Sequence, residues 1–186
     1  MGTLKQLLPY RGQTLAAHAV KQARQAGFNP VVLVVGAEAV AVRAAIEGEP
    51  VSVVENCEWA RGMGSSLVAG MRFLVETQPD LAAAAILLAD QPLVTSQQLA
   101  EMRALLFSGS ATAIAAQYDA TLGVPAIFKS DLFSLLLTVP ADAGARHILR
   151  ERGITITAFP LPEAAVDLDT PEDFAALDAT RAKQDA

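Results

Sequence analysis

The hydrophobic positions along the chain fall into short blocks whose period switches between helix and strand. Residues 13–26 place Leu15, Ala19, Val20 and Ala23 at helical spacing and stop at Gly27, which suits a left-handed helix cap. Residues 30–35 form a continuous, Val-rich apolar run, the pattern of a strand covered on both faces in a parallel sheet. The alternation continues: helix over 38–46, strand over 51–54, helix over 65–75, strand over 82–89, helix over 95–106 and strand over 111–117. A short strand over 125–128 is followed by a helix over 132–137 and another ending near Arg152-Gly153. Short strands over 154–158 and 165–168 come next, then a terminal helix after Thr170. Such alternation predicts a three-layer α/β domain. Neither a repeat nor a linker interrupts it, so residues 1–186 are expected to form a single domain.

Composition narrows the function classes. Hydrophobic residues make up 52% of the chain. Much of that is alanine, and every apolar run breaks before the ~20 residues that cross a bilayer. No basic amino-terminal region leads into an apolar segment and cleavage site, so a soluble, cytoplasmic protein without membrane partners is expected. A net charge of −6 argues against a protein that tracks nucleic acid, which needs a basic face. A single nucleotide stays open, because one lysine, a few backbone N–H groups and a metal suffice to hold a triphosphate. Cys57 is the only cysteine, which excludes an internal disulfide and is expected to act as a small apolar residue.

Two apolar stretches end in carboxylates: one in Asp90-Gln91-Pro92, the other in Asp167-Leu168-Asp169-Thr170-Pro171. The carboxyl ends of strands in an open α/β sheet are where ligands bind, so the pair reads as a candidate Mg²⁺ and phosphate site. Asp167 and Asp169, two apart on a strand, point to one face. Thr170, Pro171, Glu172 and Asp173 are explained as a helix start, which leaves the two aspartates unexplained by structure. Gly62-Met63-Gly64-Ser65-Ser66 precedes a helix; its glycines permit close backbone approach, and its serines can cap or bind. Lys5, in a loop bounded by Pro and Gly, reads as a phosphate lysine or a solvated cation. Asp142 reads as a helix N-cap, and Arg146, unfavourable so near a helix start, as a holder of an anion. His18 and His147 lack partners at metal-ligand spacing and are expected on helix surfaces. No Ser/His/Asp arrangement and no Walker-type lysine is visible.

Taken in order, Lys5-Gln6-Leu7-Leu8-Pro9-Tyr10-Arg11-Gly12, Gly62-Met63-Gly64-Ser65-Ser66-Leu67, Asp90-Gln91-Pro92-Leu93, Gly123-Val124-Pro125-Ala126-Ile127-Phe128, Asp142-Ala143-Gly144-Ala145-Arg146 and Asp167-Leu168-Asp169-Thr170-Pro171-Glu172-Asp173 carry a resemblance. Together they resemble the MobA-like nucleotidyltransferases, and within them most closely the molybdenum cofactor cytidylyltransferases.

The resemblance implies a Rossmann-like α/β/α fold with a mostly parallel sheet. It implies transfer of CMP from CTP to the phosphate of molybdenum-bearing molybdopterin, with release of pyrophosphate. By the same resemblance Lys5 neutralises the triphosphate, Asp90 and Asp169 hold Mg²⁺, and Gly64, Ser65 and Ser66 help recognise the nucleotide. Gly123, Pro125 and Arg146 fall near the pterin substrate, and a molybdoenzyme or its chaperone would receive the product. Two departures stand out: Ala89 occupies the position where the family has glycine, and only Met1-Gly2 matches the end of an opening Leu-Ala-Ala-Gly-x-Ser-x-Arg-Met-Gly strand and loop. The first sheet strand is therefore expected to lie upstream of Met1. Other expectations are a variant using GTP or another phosphate acceptor, and a non-catalytic protein that binds or delivers the pterin cofactor.

Overall fold

The computed structural model describes residues 4–166. After a 3₁₀ turn, Lys5–Leu7, a small hairpin pairs β1 (Pro9–Tyr10) with β2 (Gln13–Thr14) and leads into α1 (Leu15–Gln25). Thr14 caps α1 by accepting a hydrogen bond from the Ala17 N–H. Then follow β3 (Val32–Val35), α2 (Ala39–Ala45), β4 (Ser52–Glu55), α3 (Met63–Thr77), β5 (Ala83–Ile86) and α4 (Ser96–Ser108). Thr95 and Gln98 close a capping box at the start of α4, fixing where the chain leaves the Asp90 turn. The last third contains β6 (Ala113–Tyr118), β7 (Thr121–Lys129), α5 (Phe133–Leu136), α6 (Ala145–Ile148) and β8 (Ile156–Pro160).

Alternating side chains clamp the larger sheet between helices. On β6, Ala113 and Ala115 face one core with Met71 of α3 and Leu136 of α5. Ile114 and Ala116 face a second core with Leu99, Met102 and Leu106 of α4. Both faces are dry, as the unbroken apolar runs predict.

The sheet is the expected mostly parallel one with a single reversed strand: β5, β6 and β8 run in the same direction. It is mixed, in the order β5-β7-β6-β8, because β7 runs antiparallel to both neighbours. Among the described strands the neighbouring pairs β6/β8 and β3/β4 are parallel. The cause of the reversal is a tight hairpin at Asp119-Ala120, both at positive φ (48° and 58°), which joins β6 directly to a β7 longer than expected. As expected, no strand among the described residues bridges β3 and β5. α1 and α3 instead lie on opposite faces of the space between them.

Smaller corrections follow from pairing. β5 stops at Ile86, where its register with β7 ends, so Leu87 to Ala89 leave the sheet earlier than expected. Ala165 ends a 3₁₀ turn, Pro162–Ala165, rather than opening a strand. α6 is one turn long and is capped by Gly144 with no side-chain bond, so Asp142 is not its cap. Cys57 is exposed rather than packed in a core. His147 lies on the surface as expected, but His18 is buried at 4% exposure. Its ring bonds the Pro92 carbonyl at 3.1 Å and Gln13 at 3.3 Å, and Tyr10 packs edge-on against it. α1 turns this face inward toward the Asp90-Gln91-Pro92 turn.

Candidate active-site cleft

Between β3 and β5, on the side covered by α3, lies a cleft of about 430 Å³. Its polar wall groups are Gln6, Ser66 and Asp90, and Val124 and Ala145 form part of its apolar wall. A smaller space of about 170 Å³ opens on the α1 side and is lined by Ala19, Val20, Ala23 and the same two strands. Of the candidate residues, Asp90 and Ser66 line the larger one. Asp90 reaches it from the turn that follows β5, at the carboxyl end of a strand, as the sequence pattern predicts.

Ser66 reaches the cleft from the first turn of α3. The loop before it is built around Gly62, whose φ of 123° is closed to residues with a Cβ. Asn56, 6% exposed, organises the serines. Its amide Nδ2 donates to Ser65 Oγ at 2.8 Å and to Ser66 Oγ at 3.0 Å, while its Oδ1 accepts from the Glu58 N–H at 2.9 Å. Ser65 in turn donates to the Gly62 carbonyl at 2.7 Å, so its hydroxyl is consumed in the loop. Ser66 is the member of the pair that lines the cleft. Sequence reasoning missed Asn56; the available signal was an Asn directly after a strand and ahead of a Gly/Ser loop.

Gly64 is enclosed by the chain and does not line the cleft. Its N–H donates to the Ala141 carbonyl at 2.9 Å, and the space a Cβ would need is taken by the Pro140 and Ala143 carbonyls. The glycine therefore lets α3 dock against the 140–143 loop, which leads toward α6 and the opposite cleft wall. Gly64→Ala is expected to lower stability by about 1–3 kcal/mol, the range for forcing extra volume into a packed site, because the obstructing atoms are backbone. Urea unfolding of the variant beside the parent measures this.

Gly123, Pro125 and Arg146 divide between two places. β7 bulges where Ala126 pairs with Ala115 and Gly123 with Ala116, leaving Val124 and Pro125 outside the ladder. Val124 lines the cleft, whereas Pro125 lies on the other side beside His18 and Gln91. Gly123 is covered by the Tyr118 ring and the Arg146 side chain. Arg146 donates to the Tyr118 hydroxyl at 2.9 Å and lies 5.6 Å over its ring, so its charge is held beside Tyr118 and Gly123, while its neighbour Ala145 lines the cleft.

Gln91 is 5% exposed and donates to the carbonyls of Val124 at 3.1 Å and Ala164 at 2.7 Å. It ties the Asp90 turn to the bulge and to the segment that runs toward Asp167. Gln6, the neighbour of Lys5, is on the cleft wall, and Lys5 itself is not. Asp167 and Asp169 lie outside the described residues. Among the described residues no group of three or more His, Cys, Asp or Glu comes together. What faces the cleft is one hard carboxylate, Asp90, with open volume beside it. Such a donor set fits Mg²⁺ or Mn²⁺, which keep waters and take substrate phosphates as ligands.

No helix among the described residues is long and apolar enough to cross a membrane. Residues 1–156 match the MobA-like NTP transferase domain family. A curated relative, nicotine blue oxidoreductase of Paenarthrobacter nicotinovorans, is 33% identical over 181 residues, covering 91% of this chain and 85% of that protein. Among solved structures, Rv0371c of Mycobacterium tuberculosis is 30% identical with a TM-score of 0.75, over 95% of this chain and 90% of that one. A second structure of Rv0371c, in complex with manganese, aligns at 28% identity and a TM-score of 0.73, over 93% and 90%. With its strand-end aspartate and Gly/Ser helix start facing one cleft in a mixed α/β sheet, the chain belongs to the MobA-like NTP transferase family and is a nucleotidyltransferase.

Proposed function

We propose that the chain is a divalent-cation-dependent cytidylyltransferase that joins CMP from CTP to the phosphate of molybdenum-bearing molybdopterin, releasing pyrophosphate. The observation that carries this reading is the meeting of Asp90 and Ser66 at one cleft, with Arg146 next in sequence to the lining residue Ala145. The three supply what a triphosphate and a second phosphate ester need: a seat for a cation, a hydroxyl donor and a fixed positive charge. A solved relative, Rv0371c, holds manganese, which supports a divalent cation here; Mg²⁺ is the cellular candidate.

In the reaction an oxygen of the acceptor phosphate attacks the α-phosphorus, a new P–O bond forms, and the bond to the β-phosphate breaks as pyrophosphate leaves. Asp90, with Asp169 as the expected second ligand, would hold the cation. Bound there, Mg²⁺ neutralises the triphosphate and polarises its phosphoryl oxygens. Ser66 would orient the nucleotide, and Arg146 would attract the acceptor phosphate. Lys5 would offset charge on the leaving pyrophosphate. The acceptor phosphate is already largely ionised at neutral pH, so no histidine base is required. A single domain over residues 1–186, a cytoplasmic location and delivery of product to a molybdoenzyme or its chaperone complete the reading.

Thermal melts of the full chain with CTP and with GTP, each with and without Mg²⁺ or Mn²⁺, test it. CTP with a divalent cation at a hundred times its Kd should add about 2.7 kcal/mol of stability. Pyrophosphate should then appear only when the pterin phosphate is added. Stabilisation by GTP alone would reassign the base, and no stabilisation by either would overturn nucleotide transfer. The name of the P. nicotinovorans relative favours a second reading, an oxidoreductase. Cation-independent stabilisation by a reduced nicotinamide dinucleotide, with none by CTP, would select it.

A further inference from the structure

We infer that Asn56 is a positioning residue that sets the hydrogen-bond polarity of the cleft at Ser66, so that the substrate group seated there is an acceptor, an oxygen of the nucleotide. The inference rests on the nucleotidyl-transfer reading and adds which residue presents the serine and what it can bind.

The backbone fixes the direction of each bond. The Asn56 N–H donates to the Val35 carbonyl at 2.8 Å, which anchors the residue at the carboxyl end of β3. Its Oδ1 faces the Glu58 N–H, a group that can only donate, so the side-chain amide cannot be turned round. The NH₂ group must therefore face the two serines, and both Oγ atoms must accept. Ser65 passes its own proton to the Gly62 carbonyl. Among the described residues Ser66 has no such acceptor, and it lines the cleft that Asp90 also lines. With one lone pair taken by Asn56, Ser66 keeps its O–H and one further lone pair, and of these the O–H is what an anionic nucleotide can meet. Phosphate oxygens and the carbonyl of a pyrimidine are acceptors that it can meet.

Asn56→Asp keeps the shape and reverses the polarity. The introduced carboxylate can only accept, so it draws the Ser66 proton away from the cleft and places a negative charge behind it. We expect the Kd for CTP with Mg²⁺ to rise at least tenfold, with KM rising similarly and kcat within about threefold of the parent, because ground-state and transition-state binding are lost together. Ser66→Ala should raise Kd about tenfold by itself. If Asn56 acts through Ser66, the double variant should be much less than the product of the two single effects. Trp59, the only tryptophan of the chain, lies half-exposed in the same loop, and an unchanged emission spectrum verifies that the loop is intact. Should Asn56→Asp disturb that spectrum, Ser66→Ala decides alone, since it leaves the Asn56–Ser65 bond in place. Parent-like affinity in Ser66→Ala, or independent effects in the double variant, would overturn the inference. If the parent chain itself binds neither CTP nor GTP, it is the nucleotidyl-transfer reading that falls.

Discussion

Asp90→Asn is expected to reduce nucleotidyl transfer by about 10²–10³-fold, the range seen when one preorganised electrostatic group is removed from an active site. The change keeps the shape and removes the charge. Asp90 sits in a turn with an open cleft in front of it, and it makes no hydrogen bond or ion pair within the described residues. Stability should therefore stay within about 0.5 kcal/mol of the parent, as for substitutions away from packed or paired features. The loss of rate and the unchanged melt must occur together. Stabilisation by CTP should also lose its dependence on the divalent cation. Pyrophosphate release and thermal melts of one preparation provide both numbers, and a variant with parental turnover would remove Asp90 from the cation site.

Gln91→Leu should have the largest effect on stability, about 3–5 kcal/mol. Among the described residues Gln91 is the side-chain donor to two buried carbonyls, those of Val124 and Ala164, and leucine leaves both without it. Each stranded buried group costs about 1–3 kcal/mol. Part of that loss is offset, because the Gln91 Oε1 atom is itself buried without a partner among the described residues, and leucine removes it. In a chain of this length the net change corresponds to a Tm lower by roughly 6–20 °C. Catalysis should suffer as well, because the bulge that turns Val124 toward the cleft and the segment leading to Asp167 are both held from this side chain. Calorimetry of Gln91→Leu beside Gln91→Met, which retains volume, tests whether the carbonyls or the packing carry the loss; equal, small effects would show that the two bonds contribute little.

Much of the architecture was legible because helix starts and doubly buried strands leave local marks. Thr14 and Thr95 cap the helices whose periodicity announced them, and the continuous apolar runs became β3 and β6 with both faces covered. The hairpin between β6 and β7 was hidden because Asp119-Ala120 lacks the glycine that normally marks two positive-φ positions. β5 was overestimated because an apolar run continues to Ala89, whereas strand length is decided by a partner's register. The strand-end position of Asp90 could be read from its neighbours in sequence. The burial of His18 and the role of Asn56 could not, since both depend on bonds to residues brought near only by folding: Pro92 for the first, the Val35 backbone for the second. Likewise a glycine-rich motif does not say whether a glycine clears room for a ligand or for the chain itself, and at Gly64 it is the chain.

The separation of β3/β4 from the four-stranded sheet has a consequence for how the fold comes apart. No ladder joins the two sheets among the described residues, so their cohesion comes from helices: α1 packs on Val35 and Val42 on one side, and α3 on Val34 and the larger core on the other. Side-chain packing is less directional than a ladder of hydrogen bonds. The segment from β3 to β4 therefore forms a weaker cooperative unit that opens before the sheet centred on β6, which is hydrogen-bonded on both edges. Val32, Leu33 and Val34 of one unit and Leu88, Ala89 and Asp90 of the other line the cleft, so a ligand seated across it is expected to act as a clasp that makes the two halves melt as one.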